Sequence, residues 1–74
     1  MDDTSGLAAN IRAELARRGK TQQELAAHLG MSPKTLSDRL SSEERAQQFR
    51  LSEIRNVAKF LAVPVERLVP AMTP

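Results

Sequence analysis

Residues 21–42 read TQQELAAHLGMSPKTLSDRLSS, and the order of their polar and apolar residues predicts two short helices joined by a tight turn. Thr21 can cap the first helix, because a glutamate follows three residues later at the capping-box spacing. Gly30 stands where a left-handed residue is needed to end that helix. Ser32 and Pro33 then begin the second helix with a hydroxyl N-cap and a proline at the first helical position.

One apolar stripe continues through both predicted helices. Leu25, Ala26 and Leu29 fall at i, i+1 and i+4, and Leu36 and Leu40 lie four residues apart. Two helices this short, closed by a glycine turn, form a helix-turn-helix, in which the second helix enters the major groove of DNA. The spacing therefore predicts this motif over the whole of the quoted stretch.

The stretch resembles the helix-turn-helix of the lambda-repressor and Cro family, also called the xenobiotic-response-element-like family. The likeness covers nearly the whole chain, because the helical patterns before and after the motif resemble the rest of such a domain. The resemblance implies an all-α fold of five helices and a protein that binds double-stranded DNA. The matching residues are Thr21, Gln22, Leu25, Ala26, Leu29, Gly30, Met31, Ser32, Thr35, Leu36 and Ser37.

The length and composition predict one small domain that spans residues 1–74. A chain of this size buries only about 60% of its unfolded surface, so its stability must come from close helix packing. The absence of cysteine excludes disulfides and thiolate metal sites, and it suits a reducing compartment. No apolar stretch approaches the roughly 18 residues of a membrane span, and the acidic start MDDTSG does not resemble a signal peptide.

The positive charge is concentrated in the helix-turn-helix. The whole chain carries only +2, but residues 17–39 contain five basic and two acidic side chains, for +3. Residues 1–16 contain one basic and three acidic side chains, for −2. This distribution is what attraction to phosphates requires.

Three further helices are expected around the motif. A helix over residues 5–18 ends at Gly19, and the polar connection SSEERAQQF is expected to be a loop. A fourth helix covers residues 51–61, a fifth covers residues 65–69, and residues 71–74 form a frayed end. The predicted core is Leu7, Ile11, Leu15, Leu25, Ala26, Leu29, Met31, Leu36, Leu40, Phe49, Ile54, Val57, Ala58, Leu61 and Leu68.

The outward face of the third helix supplies the candidate base-reading residues Pro33, Lys34, Ser37 and Asp38. The resemblance implies that the positions of Pro33, Lys34 and Asp38 read bases. Lys34 can donate to guanine O6 and N7, Asp38 can accept from cytosine N4, and Pro33 offers an apolar face to a thymine methyl. The alternative is that Lys34 and Asp38 form an i,i+4 surface pair without a DNA partner.

Candidate phosphate contacts lie at helix starts and after the third helix. The resemblance implies a phosphate contact at Gln22, and the free N–H groups of a helix start favour anions for physical reasons. The alternative for Gln22 and Gln23 is an ordinary solvated helix face. Arg39 is expected to lay its stem over the core and direct its guanidinium to a phosphate. The full predicted set is Thr21, Gln22, Gln23, Ser32, Thr35, Arg39, Gln48 and Arg50.

Catalysis and metal binding find no support in the sequence. The only histidine, His28, lies four residues from Glu24, and the two are expected to form a surface pair. Without cysteine, a second histidine or clustered carboxylates, neither a metal site nor a catalytic triad can be assembled. We therefore expect no enzyme, no metal and no cofactor.

The sequence thus predicts a sequence-specific transcriptional regulator similar to a phage repressor or Cro, without a small-molecule ligand. The resemblance implies a homodimer on a palindromic operator, in the cytoplasm of a bacterium or encoded by a phage in a bacterial host. The apolar residues Val65, Leu68 and Val69 are the candidate dimer contact. Two alternatives remain: the DNA-binding fragment of a larger immunity-type repressor, and an antitoxin-like protein-interaction module.

Overall fold

Five α-helices and one 3₁₀ turn organise residues 6–69, the part of the chain that the computed structural model describes. No strand occurs within these residues, so the predicted all-α class is confirmed. The elements are α1 (Leu7–Arg17), α2 (Gln22–Leu29), α3 (Pro33–Arg39), α4 (Glu43–Ala46), α5 (Leu51–Leu61) and the 3₁₀ turn (Val65–Arg67).

The first helix ends as its sequence predicts. Gly19 adopts a positive φ of 65°, and the N–H of Lys20 donates to the carbonyl of Leu15 at 2.9 Å. This left-handed closure satisfies a carbonyl that the helix itself leaves free. The helix begins after the N-cap Gly6, and the predicted start at residue 5 lies outside the described residues.

The helix-turn-helix is held by the predicted caps. Thr21 Oγ1 accepts from the N–H of Glu24 at 3.1 Å, and Glu24 Oε1 accepts from the N–H of Thr21 at 2.8 Å, which completes a capping box. Gly30 ends α2 with φ 73° and ψ 29°. Ser32 Oγ accepts from the N–H of Thr35 at 3.1 Å and starts α3. All three boundaries of the motif are therefore confirmed.

The connection after α3 contains a helix, and the prediction of a loop there was wrong. Ser42 Oγ accepts from the N–H of Arg45 at 3.1 Å and caps the four-residue helix α4. Two glutamates follow the cap in the first turn, where negative charge stabilises the positive end of the helix dipole. Ala46 is buried and anchors the short helix on the core. The N-cap and the acidic first turn start a helix here, although the segment lacks the periodic apolar residues of a longer helix.

The predicted fifth helix over residues 65–69 is instead a single 3₁₀ turn. The N–H of Arg67 donates to Pro64 and that of Leu68 donates to Val65, both in the i,i+3 pattern. Leu68 is completely buried, and its carbonyl accepts from Asn10 Nδ2 of α1 at 3.0 Å. The segment is therefore held against α1 by Leu68 and does not continue as a helix. The predicted frayed end over 71–74 lies outside the described residues.

The core is close to the predicted one, with instructive differences. Leu7, Leu29, Met31 and Ile54 are only half-buried, because they lie at the rim of the helix contacts. Ala8 and Ala46 are buried although they were not among the predicted core residues. The buried apolar residues are Ala8, Ile11, Leu15, Leu25, Ala26, Leu36, Leu40, Ala46, Phe49, Val57, Ala58, Leu61 and Leu68.

One buried residue is charged. Glu14 is only 2% exposed, and its carboxylate lies 2.7 Å from Nη1 of Arg17 and 2.7 Å from Nη1 of Arg18. Arg18 also donates through Nε to the carbonyl of Leu61 at 2.6 Å, which connects α1 to the end of α5. Arg67 of the 3₁₀ turn lies 4.0 Å from the same carboxylate. Pairing compensates the burial of the charge.

Candidate nucleic-acid interface

The outward face of α3 is arranged as the sequence predicts. Leu36 is buried against the core, whereas Pro33, Lys34, Ser37 and Asp38 are exposed. On a helix, residues three and four positions apart share a face. The four predicted base-reading residues therefore lie on the solvent side of the second helix of the motif.

An open depression of about 360 Å³ lies between α3 and the segment that precedes α5. It brings together two predicted base-reading residues, Lys34 and Asp38, and three predicted phosphate contacts. Its lining residues are Lys34, Thr35, Asp38, Arg39 and Gln48. We call this surface the α3 groove. It joins residues that are fourteen positions apart in sequence, which helix periodicity alone could not predict.

Asp38 forms an ion pair, but its partner is not Lys34. Nη1 of Arg45, in α4, lies 3.1 Å from Oδ1 and 2.9 Å from Oδ2 of Asp38. The carbonyl of Asp38 accepts a second bond, from Oγ of Ser41 at 2.6 Å. The i,i+4 pairing of Lys34 with Asp38 that the alternative assumed is therefore wrong. Lys34 makes no ion pair with any residue from 6 to 69 and projects its charge freely from α3.

Arg39 lies at the edge of the α3 groove with its guanidinium partly engaged. Its Nη1 lies 3.1 Å from Oε1 of Glu53, and its guanidinium carbon lies 5.4 Å from the ring centre of Phe49. The same Glu53 oxygen accepts from the N–H of Arg50 at 2.9 Å. Leu40 takes the buried position one residue later, as predicted. Arg39 thus joins α3 to the start of α5, and only one of its five N–H donors is used in the bond to Glu53.

The start of α2 forms a separate candidate contact. Thr21 uses its hydroxyl and its N–H in the capping box, so its contribution is to hold the helix start. No residue from 6 to 69 accepts from the N–H groups of Gln22 and Gln23, as expected for the first turn of a helix. These two donors and the positive end of the helix dipole favour an anion. None of the three residues lines the α3 groove.

The start of α3 is internally hydrogen-bonded. Oγ of Ser32 lies 2.9 Å from Oγ1 of Thr35, in addition to its bond from the Thr35 amide. Both side chains are exposed, and Thr35 belongs to the α3 groove. Arg50 is exposed at the start of α5 and lies outside the groove. The predicted phosphate contacts therefore fall into two groups, one along the groove and one at helix starts.

His28 does not pair with Glu24, and that expectation was wrong. The carboxylate of Glu24 is occupied in the capping box. The ring of His28 packs instead on Phe60 of α5, with 5.0 Å between ring centres and 40° between planes. Lys20 Nζ lies 5.5 Å from the same Phe60 ring. This cluster connects α2 to the end of α5.

Residues 6–69 contain neither a metal-binding cluster nor a membrane-spanning helix. No group of three or more metal-binding side chains comes together there. No helix of this region is both long and apolar enough to cross a membrane.

A helix-turn-helix family model, that of the lambda-repressor and Cro-like proteins, matches residues 11–68. The chain belongs to this family. The match begins within α1 and ends at the buried Leu68, so it includes the motif, α4 and α5. This is a family of DNA-binding regulators, which assigns DNA binding to the chain. No curated protein and no solved structure matched the chain.

Two contacts of this helix-turn-helix surface were not predicted from the sequence. Arg45 contacts the predicted base reader Asp38, and Glu53 contacts the predicted phosphate contact Arg39. The position of Arg45 could have been predicted from Ser42 and the acidic residues after it, because they signal a helix that presents the arginine at a fixed position. No local signal identifies the partner of Arg39, since fourteen residues separate it from Glu53.

Proposed function

We propose that this helix-turn-helix protein binds double-stranded DNA sequence-specifically and regulates transcription in the manner of a phage repressor or Cro. The observation that carries the proposal is the α3 groove, where Lys34 and Asp38 lie beside Arg39 and Gln48. Base readout requires side chains with donors and acceptors at the major groove, and register requires phosphate contacts next to them. The groove offers both within one surface.

In this proposal α3 enters the major groove with its exposed face toward the base edges. Lys34 donates to O6 and N7 of a guanine. Asp38, which lies one turn of α3 after Lys34, accepts from N4 of a cytosine. Pro33 contacts a thymine methyl, and Ser37 donates or accepts beside them. These four residues are exposed and share one side of the helix, which supports the assignment.

Phosphate contacts then orient the protein on the duplex. The side-chain amide of Gln22 and the free N–H groups of Gln22 and Gln23 bind one phosphate at the start of α2, where Thr21 holds the helix end. Ser32 and Thr35 contribute their hydroxyls at the start of α3. Arg39 and Gln48 contribute contacts from the α3 groove, and Arg50 contributes one at the start of α5.

We further propose that the chain acts as one domain and as a homodimer on a palindromic operator. Leu68 is buried in its own core, so the contact between two copies falls to the half-buried Val65 and Val69. Two recognition helices then face half-sites about 34–36 Å apart. Bound to its operator, the protein blocks or recruits RNA polymerase and needs no small-molecule effector. It acts in the bacterial cytoplasm and is encoded by a bacterial or a phage gene.

Selection of bound fragments from a random pool of duplex DNA tests the proposal. The expected result is enrichment of an inverted repeat whose half-sites are about 10 base pairs apart, centre to centre. Titration of the enriched duplex and a scrambled duplex at one salt concentration then gives the specificity ratio. A pool that stays random through successive rounds would contradict sequence-specific binding. Enrichment of a single half-site would contradict only the proposed dimer and would leave sequence-specific binding in place.

A further inference from the structure

The ion pair between Asp38 and Arg45 connects the reading face of α3 to α4. One nitrogen of Arg45 contacts both carboxylate oxygens of Asp38, at 3.1 and 2.9 Å. The side chains of Arg45 and Asp38 are 54% and 57% exposed, so the pair lies at the surface that DNA would approach. An exposed ion pair contributes little to folding stability. Its position on the reading face therefore calls for a different explanation.

Both ends of the pair are held by the backbone. Arg45 follows the N-cap Ser42 by three residues, and Ala46 fixes α4 by its burial. Ser41 donates to the carbonyl of Asp38 through its N–H at 3.1 Å and through its hydroxyl at 2.6 Å. The segment between the two charged residues is thus closed by hydrogen bonds, which keeps Arg45 opposite the carboxylate.

An aspartate near DNA faces two difficulties that Arg45 removes. Its charge is repelled by the phosphates, and its free carboxylate can rotate away from the geometry that a cytosine amino group requires. A carboxylate offers about four acceptor positions on its two oxygens, and Arg45 occupies one on each. The other positions stay available to a base. Arg45 therefore neutralises the charge of Asp38 and fixes its orientation while leaving it able to accept.

From this geometry we infer that Arg45 is a positioning residue that makes Asp38 a specificity determinant, rather than a simple phosphate contact. The inference rests on the proposed function and adds a residue outside α3 to base recognition. A phosphate contact lowers affinity for all duplexes equally when it is removed, because it carries no sequence information. Removal of a positioning residue instead reduces discrimination at one base pair, and it does so only while Asp38 is present.

The test is a double-mutant cycle on DNA binding, with the full chain and one fixed salt concentration. Affinities are measured for the selected duplex and for duplexes changed at each base pair of one half-site. Arg45→Ala is expected to reduce discrimination at the base pair read by Asp38 on the order of fivefold or more, within the about 5- to 150-fold that one base contact provides. In an Asp38→Ala background the same change is expected to leave all ratios unaltered.

Arg50→Ala is the matched control, because Arg50 is exposed like Arg45 but does not contact Asp38. It is expected to weaken binding to every duplex by a similar factor and to leave discrimination intact. Circular dichroism melts of each variant verify folding, and Arg45→Gln provides a second, longer neutral side chain at the same position. The inference is wrong if Arg45→Ala and Arg45→Gln, like Arg50→Ala, weaken binding to every duplex by a similar factor. If Lys34→Ala still reduces discrimination at one base pair in that case, the proposed function stands. A wild-type protein that discriminates no base pair would overturn both.

Discussion

Glu43 caps the start of α1 through Ala8, a residue 35 positions away in sequence. Its Oε1 accepts from the N–H of Ala8 at 2.9 Å, and its Oε2 accepts from the N–H of Ala9 at 3.0 Å. The local N-cap, Gly6, has no side chain that could do this. A Cβ added to Gly6 would clash with the carboxylate of Glu43, so only glycine leaves room for this contact. The carboxylate of Glu43 is therefore directed to α1.

Replacing Glu43 with alanine is therefore expected to destabilise the fold by about 1 kcal/mol, within the range of other N-cap losses. Two N–H groups lose their acceptor, and the positive end of the α1 dipole loses a negative charge. Glu44→Ala is the control, because it removes the same charge from the neighbouring position of α4, and its effect should stay within about 0.5 kcal/mol. Urea unfolding measures both. Equal destabilisation by the two variants would show that the long-range cap is unimportant.

A second stability prediction concerns Ala62, which ends α5 in the left-handed conformation with φ 58° and ψ 43°. An alanine pays a steric penalty there that glycine avoids. Ala62→Gly is expected to stabilise the protein by about 1 kcal/mol. The control is Ala27→Gly within α2, which is expected to destabilise by about 0.5–1 kcal/mol. Thermal melts of the two variants should shift in opposite directions; a shift to lower temperature in both would reject the strain at Ala62.

The helix-turn-helix could be predicted from sequence because its determinants are local. The box at Thr21, the glycine at Gly30 and the hydroxyl at Ser32 each act within three or four residues of their partners. Each cap satisfies backbone groups in the turn that it closes, so residue type and spacing are sufficient. The outward orientation of α3 follows from the same period, since the buried Leu36 fixes which side faces solvent.

The remaining features depend on contacts between different structural elements, which local sequence patterns do not reveal. Glu14 is buried because arginines from α1 and the 3₁₀ turn converge on it, although a glutamate in a helix pattern predicts exposure. Asp38 meets Arg45 only because α4 turns back toward α3. The α3 groove likewise requires Gln48 to approach Lys34. Each of these contacts is set by tertiary packing, so local pattern could supply the candidate residues but not their partners.

The contact proposed for Gln22 predicts a loss of affinity without a loss of specificity. Gln22→Ala is expected to weaken binding to all duplexes by a similar factor, because a phosphate contact does not distinguish bases. Gln22 is neutral, so the slope of affinity against salt should stay unchanged. Arg50→Ala, by contrast, is expected to reduce that slope by about one unit. Titrations of both variants over a salt series test this, and a loss confined to one DNA sequence would contradict the phosphate contact of Gln22.

Lys34 is the residue on which the proposed reading of DNA most directly depends. Its charge projects from the outward face of α3 and is not paired with any residue from 6 to 69. Lys34→Ala is expected to cost about 1–3 kcal/mol on the selected duplex and to relax the preference at one base pair. Lys59→Ala removes the same charge from an exposed position of α5 outside the groove, and it should leave every base preference unchanged. Binding to duplexes changed one base pair at a time distinguishes the two. If both lysine variants lose affinity equally on all duplexes, α3 attracts DNA by charge alone and does not read its sequence.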